Sequence, residues 1–306
     1  MLSAMCTGID CASLIGMGAG TNQEAKLWAL VAAAWWPALL AGLVAIAITL
    51  AIERYGGLVG GLLGTLPTTI VPFGLGLWIQ DPDPVVYADA MGAVPLGMLI
   101  DALFLLAWRV VPRHLPAWSL RPRLALMSVL SLVTWFGLAT LGVWMLGALR
   151  EAGVPTMCVG GVCIVVLVAV GLASTWRSPP APKGDRNVGP VALLLRGTLA
   201  ASAIAAAIGI AQLVGPHAAG LASVFPAIFI TTMVSLWLAQ GEAVPAGAVG
   251  PMMLGSASVA AYAMLVAVFT PTLGVLMGCG VAWCCAVICT TLPALAWLRV
   301  RVPTAD

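Results

Sequence analysis

Two features of the chain could do chemistry inside a membrane: an acidic residue stranded in an apolar run, and two prolines in matching surroundings. Asp101 lies deep within the apolar run 85–109, and Arg196 lies a few residues into the run 189–213. Ionisable groups are costly in hydrocarbon and tend to mark ion paths or paired networks. Asp101 is therefore expected to pair with Arg196, or to bind a proton or cation that drives transport. Arg196 has another outlet, because a long side chain near the end of its run can snorkel to the interface. The short Asp101 side chain has none. Asp89 and Glu242 fall near run boundaries, where simple solvation accounts for them.

Pro67 and Pro226 sit mid-run in corresponding places. Proline removes a backbone donor and frees the carbonyl one turn earlier, and in lipid that carbonyl must find a partner or line a cavity. Hydroxyls cluster beside both prolines: Thr65, Thr68 and Thr69 by one, Ser223, Thr231 and Thr232 by the other. The functional reading is a partly unwound substrate or ion site containing Pro67, Thr68, Thr69, Asp101, Pro226, Thr231 and Thr232. The plainer reading is a pair of kinks whose Thr hydroxyls bond their own helix.

The cysteines invite a soft-metal reading, since thiolates suit ions such as Cu(I). Cys6 and Cys11, Cys158 and Cys163, and Cys279 and Cys284 share a five-residue interval. On a helix that interval turns about 140°, so such pairs do not share a face. Only Cys285 and Cys289 do, and no CxxC or Cys/His zinc spacing occurs. Cysteine as a small apolar filler is preferred, and no metal or cofactor is expected. Cys6 and Cys11 could form a local disulfide on an oxidising side. Walker, GxSxG and HExxH motifs are absent, as is an acidic pair in a basic loop, so no enzyme activity is expected.

The elements that must position these residues follow from composition. Of 306 residues, 62% are apolar and 8% charged, and the mean hydropathy is +1.09. A soluble domain carries about 25% charged residues. The net charge of +2 gives no reason to expect nucleic acid. Residues 1–26 lack a basic leading segment, so no cleavable signal peptide is expected. A helix needs about 20 residues to cross a ~30 Å hydrocarbon core. Runs of that length fall near 27–52, 57–79, 85–109, 123–149, 154–176, 189–213, 217–239, 246–270 and 272–298. The fourth and fifth are separated only by Arg150, Glu151, Gly153 and Pro155. Joined, 123–176 would make a helix roughly 80 Å long, so a tight turn is expected there.

The expected fold is all-α: a polytopic integral membrane protein with about nine transmembrane helices. Nine crossings put Arg54, Arg109, Arg113, Arg121, Arg123, Arg177, Lys183, Arg186, Arg299 and Arg301 on one face, with Arg196 near it. Lys26 and Arg150 remain on the other. By the positive-inside rule, the N-terminus is outside or lumenal and the C-terminus cytoplasmic.

An internal repeat organises the crossings. Gly56, Gly61, Pro67, Leu77 and Trp78 recur 159 residues later as Gly215, Gly220, Pro226, Leu236 and Trp237. After a one-residue slip, Ala88, Ala90, Gly92, Leu96 and Gly97 match Ala246, Ala248, Gly250, Leu254 and Gly255. Val259 stands where Asp101 stands in the first copy, so any site is asymmetric. An odd number of crossings separates the copies, which therefore run in opposite directions. This gives 27–176 as a first repeat of five helices and 189–298 as a second of four. Residues 1–26 form an extramembrane segment, 177–188 a basic cytoplasmic linker and 299–306 a tail. Secondary transporters are often built this way, with a site near the midplane where broken helices face each other. The layout resembles the drug/metabolite transporter architecture of two five-helix halves, with one helix fewer. The likeness is one of layout, so no residue roles are carried over.

The expected function is a secondary transporter or facilitator of a small solute or ion, and the alternative is a non-transporting scaffold or assembly factor. The lipid bilayer is the expected partner, and a homo-oligomer is compatible with the sequence. The glycines at 57, 60, 61 and 64, at 92 and 97, and at 250 and 255 are expected to let helices approach closely.

Overall fold

A computed structural model describes residues 34–47, 50, 66–176, 189–240 and 243–301. All regular structure among them is helical. The helices are α1 (Ala34–Ala47), α2 (Ile70–Gln80), α3 (Pro84–Val110), α4 (Leu120–Glu151), α5 (Thr156–Trp176) and α6 (Pro190–Leu213). They continue with α7 (Pro216–Ser223), α8 (Ala227–Gln240), α9 (Ala243–Leu273), α10 (Val275–Ala286) and α11 (Leu292–Arg301). A π-helical turn, Val287–Thr291, joins the last two.

Among the described residues, seven stretches are long and apolar enough to cross a membrane: 84–110, 120–151, 156–176, 193–213, 216–238, 247–273 and 275–300. These correspond to the last seven expected runs. The first two expected runs contain the shorter apolar helices α1 and α2, and their residues 27–33, 48–49, 51–52 and 57–65 lie outside the described residues. Large apolar side chains point outward all along α4, α5 and α6, among them Val133, Trp144, Val165 and Leu194, each more than 60% exposed. A soluble protein rarely leaves so continuous an apolar surface uncovered. The chain is a multi-pass helical membrane protein.

Local chemistry sets the boundaries. Asp83 caps α3, its Oδ1 accepting from Val85 N at 2.7 Å, with Pro84 in the first turn. This suits an N-terminus, whose first N–H groups lack helical partners. The tight turn expected between the fourth and fifth runs is present. Gly153 has φ +82°, and Val154 N reaches back to Leu149 O at 2.9 Å, closing α4 with a glycine in the left-handed region.

Successive long apolar stretches run in opposite directions. Arg109 Nη1 donates to Ser174 O (2.9 Å), Arg123 Nη2 to Pro112 O (2.8 Å), and Trp297 Nε1 to Thr175 Oγ1 (3.0 Å). The end of α3, the start of α4 and the ends of α5 and α11 thus share one basic end. At the opposite end Gln212 Nε2 donates to Gln80 Oε1 (3.1 Å), and Arg150 pairs with Asp89 (2.6 Å).

That pair corrects one expectation. Asp89 is not simply solvated: it is 13% exposed, and its Oδ1 also accepts from Thr156 Oγ1 at 3.1 Å. It ties the start of α3 to the α4–α5 turn. Arg150 is 45% exposed, so water screens the Coulomb part. Asp89→Ala is expected to lower stability by about 1–2 kcal/mol, chiefly through the lost hydrogen bonds, as read by unfolding in mixed micelles. Glu242 lies outside the described residues.

The centre of the bundle is α3 packed along α9, with α5, α7 and α10 around them. In their most apolar stretches, 78% of α3 and 72% of α9 is buried. Small residues make this possible. A Cβ on Gly160 of α5 would sit 2.6 Å from Gly92 O of α3, and one on Gly171 would sit 2.9 Å from Leu254 Cα of α9. Gly57, Gly60, Gly61 and Gly64 lie outside the described residues.

Candidate functional site

Pro226 does more than kink a helix. α7 stops at Ser223, residues 224–226 form a non-helical turn, and α8 starts at Ala227. Proline has no N–H, and it pushes the residue before it, Phe225, away from helical conformation. Ala227 N instead bonds to Phe225 O at 2.7 Å. Pro67 likewise falls in a turn, 66–69, directly before α2 begins at Ile70. The chain before that turn is outside the described residues.

Both turns border one cavity of about 60 Å³. Thr69 and Ile70 line it from one side, and Ser223 through Phe229 from the other. Between them stand Met98 and Asp101 of α3, Ala200 and Ile204 of α6, and Val259 of α9. The starts of α2 and α8 therefore both face a space that contains a carboxylate. Helix N-termini carry unpaired N–H groups and partial positive charge, so their fields complement Asp101.

Asp101 is 1% exposed. Trp135 Nε1, in the middle of α4, donates to its Oδ1 at 2.7 Å. The ion pair with Arg196 is not formed: among the described residues, no salt bridge joins the two. Arg196 is 5% exposed, so it does not extend outward either. The indole gives Asp101 a neutral donor on one oxygen. Oδ2 has no hydrogen-bond partner among the described residues.

The other expected residues divide. Thr69 and Pro226 line the cavity with Asp101, while Pro67 and Thr68 belong to the turn beside it. Thr68 Oγ1 donates weakly to Leu66 O at 3.4 Å. Thr231 Oγ1 bonds Ala227 O at 2.8 Å within its own helix, and Thr232 is not part of the lining. Ser223, whose hydroxyl donates to Gly220 O at 2.7 Å, does line the cavity. Its proton committed, it offers the cavity lone pairs.

The sequence missed Trp135, although a signal for it existed. An indole N–H buried at mid-membrane is stabilised by an acceptor, and Asp101 is an acceptor on the neighbouring crossing. The Trp135 ring also packs edge-on against Phe136 and Phe225, with centroids 5.2 Å away in each case. Trp135→Phe keeps the ring but removes the donor. It is expected to cost about 1–3 kcal/mol in an unfolding titration, with the aromatic cluster intact.

Among the described residues no group of three His, Cys, Asp or Glu converges. Cys163 and Cys279 are buried, while Cys158, Cys284 and Cys289 are exposed along the outer surface. Cys6 and Cys11 lie outside the described residues. Set against protein-family models, curated proteins and solved structures, the chain matches none of them.

Proposed function

We propose that the protein is a secondary transporter or facilitator of a small solute or ion, with its site at the interface of two inverted halves. The observation that carries this reading is the shared cavity. Two proline-containing turns at matching positions of the repeat, each leading into a helix, meet at one buried carboxylate. Irregular backbone at membrane depth is tolerated where it is buried or lines a cavity, and discontinuous helices with facing ends are a common transporter device.

Nine crossings, five plus four, complete the proposal, with α1 and α2 as parts of the first two. The matched tryptophans support the inversion. Trp78 near the end of α2 meets Tyr87 at the start of α3, with centroids 5.1 Å apart. Its counterpart Trp237 near the end of α8 meets Trp108 at the other end of α3, at 5.8 Å. Copies running in opposite directions produce this pairing. With the arginine-rich end cytoplasmic, the C-terminus is inside and the N-terminus outside.

The chemistry of the lining narrows the guest. Asp101 Oδ2 and the Ser223 lone pairs are acceptors, and the Phe225 ring stands beside them. Such a site favours a proton, a small cation or a solute with a donating end. A cavity of about 60 Å³ holds only a small one.

Proteoliposomes loaded with a pH dye and given a pH gradient test this directly. Small ammonium compounds and small neutral solutes are added one at a time. At least one is expected to change the rate of gradient collapse over empty liposomes. A wild-type protein inert across imposed gradients of H⁺, Na⁺ and K⁺ would support a scaffold instead.

A further inference from the structure

The arginine-rich end holds a second space, separate from the Asp101 cavity. An open groove of about 450 Å³ runs between the ends of α3 and α5. Leu106, Arg109 and Val110 of α3, with Arg113 just beyond it, form one wall, and Val170, Ala173 and Ser174 of α5 form the other. Both helices run toward the arginine-rich end, so order along the chain is depth in the membrane. Leu106 and Val170 lie at the deep end of the groove, and Arg113 and Ser174 at its mouth. The groove is therefore apolar toward the membrane interior and cationic toward the water. The small side chains of Ala173 and Ser174 leave it open.

Arg109 is fixed in place: its Nη1 donates to Ser174 O at 2.9 Å, which holds the guanidinium across the groove. Arg113 follows about one turn later, in the short helical turn Pro112–His114, and is exposed. No carboxylate stands at this end among the described residues. Asp81, Asp83, Asp89 and Glu151 belong to the opposite end, and Asp101 to the interior. The linker 177–188 brings Arg177, Lys183 and Arg186 against a single acid, Asp185, so it adds positive charge. Trp118 and Trp176 are exposed at the same end, Trp176 only two residues beyond Ser174. Tryptophans of this kind sit at headgroup level in a bilayer, which puts the mouth of the groove among lipid phosphates.

We propose that this groove binds an anionic phospholipid, its phosphate between Arg109 and Arg113 and one acyl chain along Leu106, Val110 and Val170. Guanidinium groups keep their charge and match phosphate oxygens in geometry, and basic pockets between crossing helices recognise lipid headgroups. The order of the lining selects this occupant. A soluble anion gains nothing from the apolar walls, and a zwitterionic lipid brings a cation of its own to two arginines. The site stands whether or not the protein moves a solute.

Native mass spectrometry tests the proposal by counting single lipids on the full chain, titrated in detergent with phosphatidylglycerol or phosphatidylcholine of matched acyl chains. The first phosphatidylglycerol is expected to bind several-fold more tightly than the first phosphatidylcholine. Arg113→Gln is expected to weaken it about 5-fold, the worth of one basic residue at a lipid surface, with little effect on phosphatidylcholine. Arg121→Gln removes the same charge from the same end but outside the groove. Salt screens charges that are not in contact, so this variant is expected to bind like wild type. Ala173→Trp keeps every charge and fills the groove, and is expected to weaken phosphatidylglycerol at least as much as Arg113→Gln. Three results each overturn the site in favour of a diffuse basic surface: no preference for phosphatidylglycerol in the wild type, equal losses in Arg113→Gln and Arg121→Gln, or full binding in Ala173→Trp. Glycerol phosphate, the headgroup fragment without acyl chains, is expected to bind far more weakly than the lipid. Equal binding would make the groove a site for a soluble anion and overturn the lipid assignment.

Discussion

Asp101→Asn is expected to leave a folded protein whose solute-dependent flux falls about 10- to 150-fold, the equivalent of the 1.5–3 kcal/mol carried by a charged hydrogen bond. Asparagine is nearly isosteric and keeps an oxygen that can accept from Trp135 Nε1, so the bond at 2.7 Å survives. What it loses is the capacity of Oδ2 to take up and release a proton or to hold a cation. Stability should hold or rise, because an ionisable carboxyl group has been removed from a low-dielectric site. Opposite movement of stability and flux is the pattern of a functional residue held at a structural cost. Asp101→Ala separates the two roles. It leaves the Trp135 N–H without an acceptor and is expected to cost about 1–3 kcal/mol of stability as well as the flux. Unchanged flux in Asp101→Asn, measured in proteoliposomes that show solute-dependent flux with wild type, would remove Asp101 from the mechanism.

Gly220→Ala is expected to be the most damaging small substitution in the described part of the chain. Gly220 lies on α7, and a Cβ there would be driven into the carbonyl oxygen of Ala90 on α3. The obstacle is backbone, which cannot rotate aside as a side chain can. Overpacking of this kind costs about 1–3 kcal/mol and sometimes more. The same contact holds α7, and hence the Ser223–Pro226 turn, against α3 beside Asp101. Flux should therefore fall along with stability. Gly161→Ala is the control: nothing lies within 4 Å of its Cβ position, and replacing a helical glycine there should gain up to about 1 kcal/mol. Paired unfolding titrations read both. Equal stability in the two variants would refute the close α3–α7 approach.

Much of the architecture was legible because hydropathy reports directly on membrane crossing. Seven runs, and the turn at Gly153 between two of them, appear at the expected places. The repeat pointed to Pro67 and Pro226 because proline has few tolerable places in a crossing helix. Whether each proline bends a helix or ends one depends on neighbouring packing, which sequence alone does not carry. Asp101 stood out because an acid in hydrocarbon needs a reason. The sequence left pairing with Arg196 as one of two options for it, and could not point to the neutral indole of Trp135, which donates to its Oδ1 from a neighbouring helix. The reverse happened at Asp89: its position near a run boundary hid its pairing with Arg150 and Thr156, which requires three helix ends to meet.

The central claim is that the two proline turns enclose a polar space open to water, and cysteine accessibility tests it most directly. The eight native cysteines are replaced, and single cysteines are introduced as Thr69→Cys and Ser223→Cys, one beside each turn. Both are predicted to react in proteoliposomes with a small, charged, membrane-impermeant thiol reagent, and the same solute should slow both reactions. If both stay unreactive while Asp81→Cys in the connection between α2 and α3 reacts readily, the seam is dry, and the account of a shared site is contradicted.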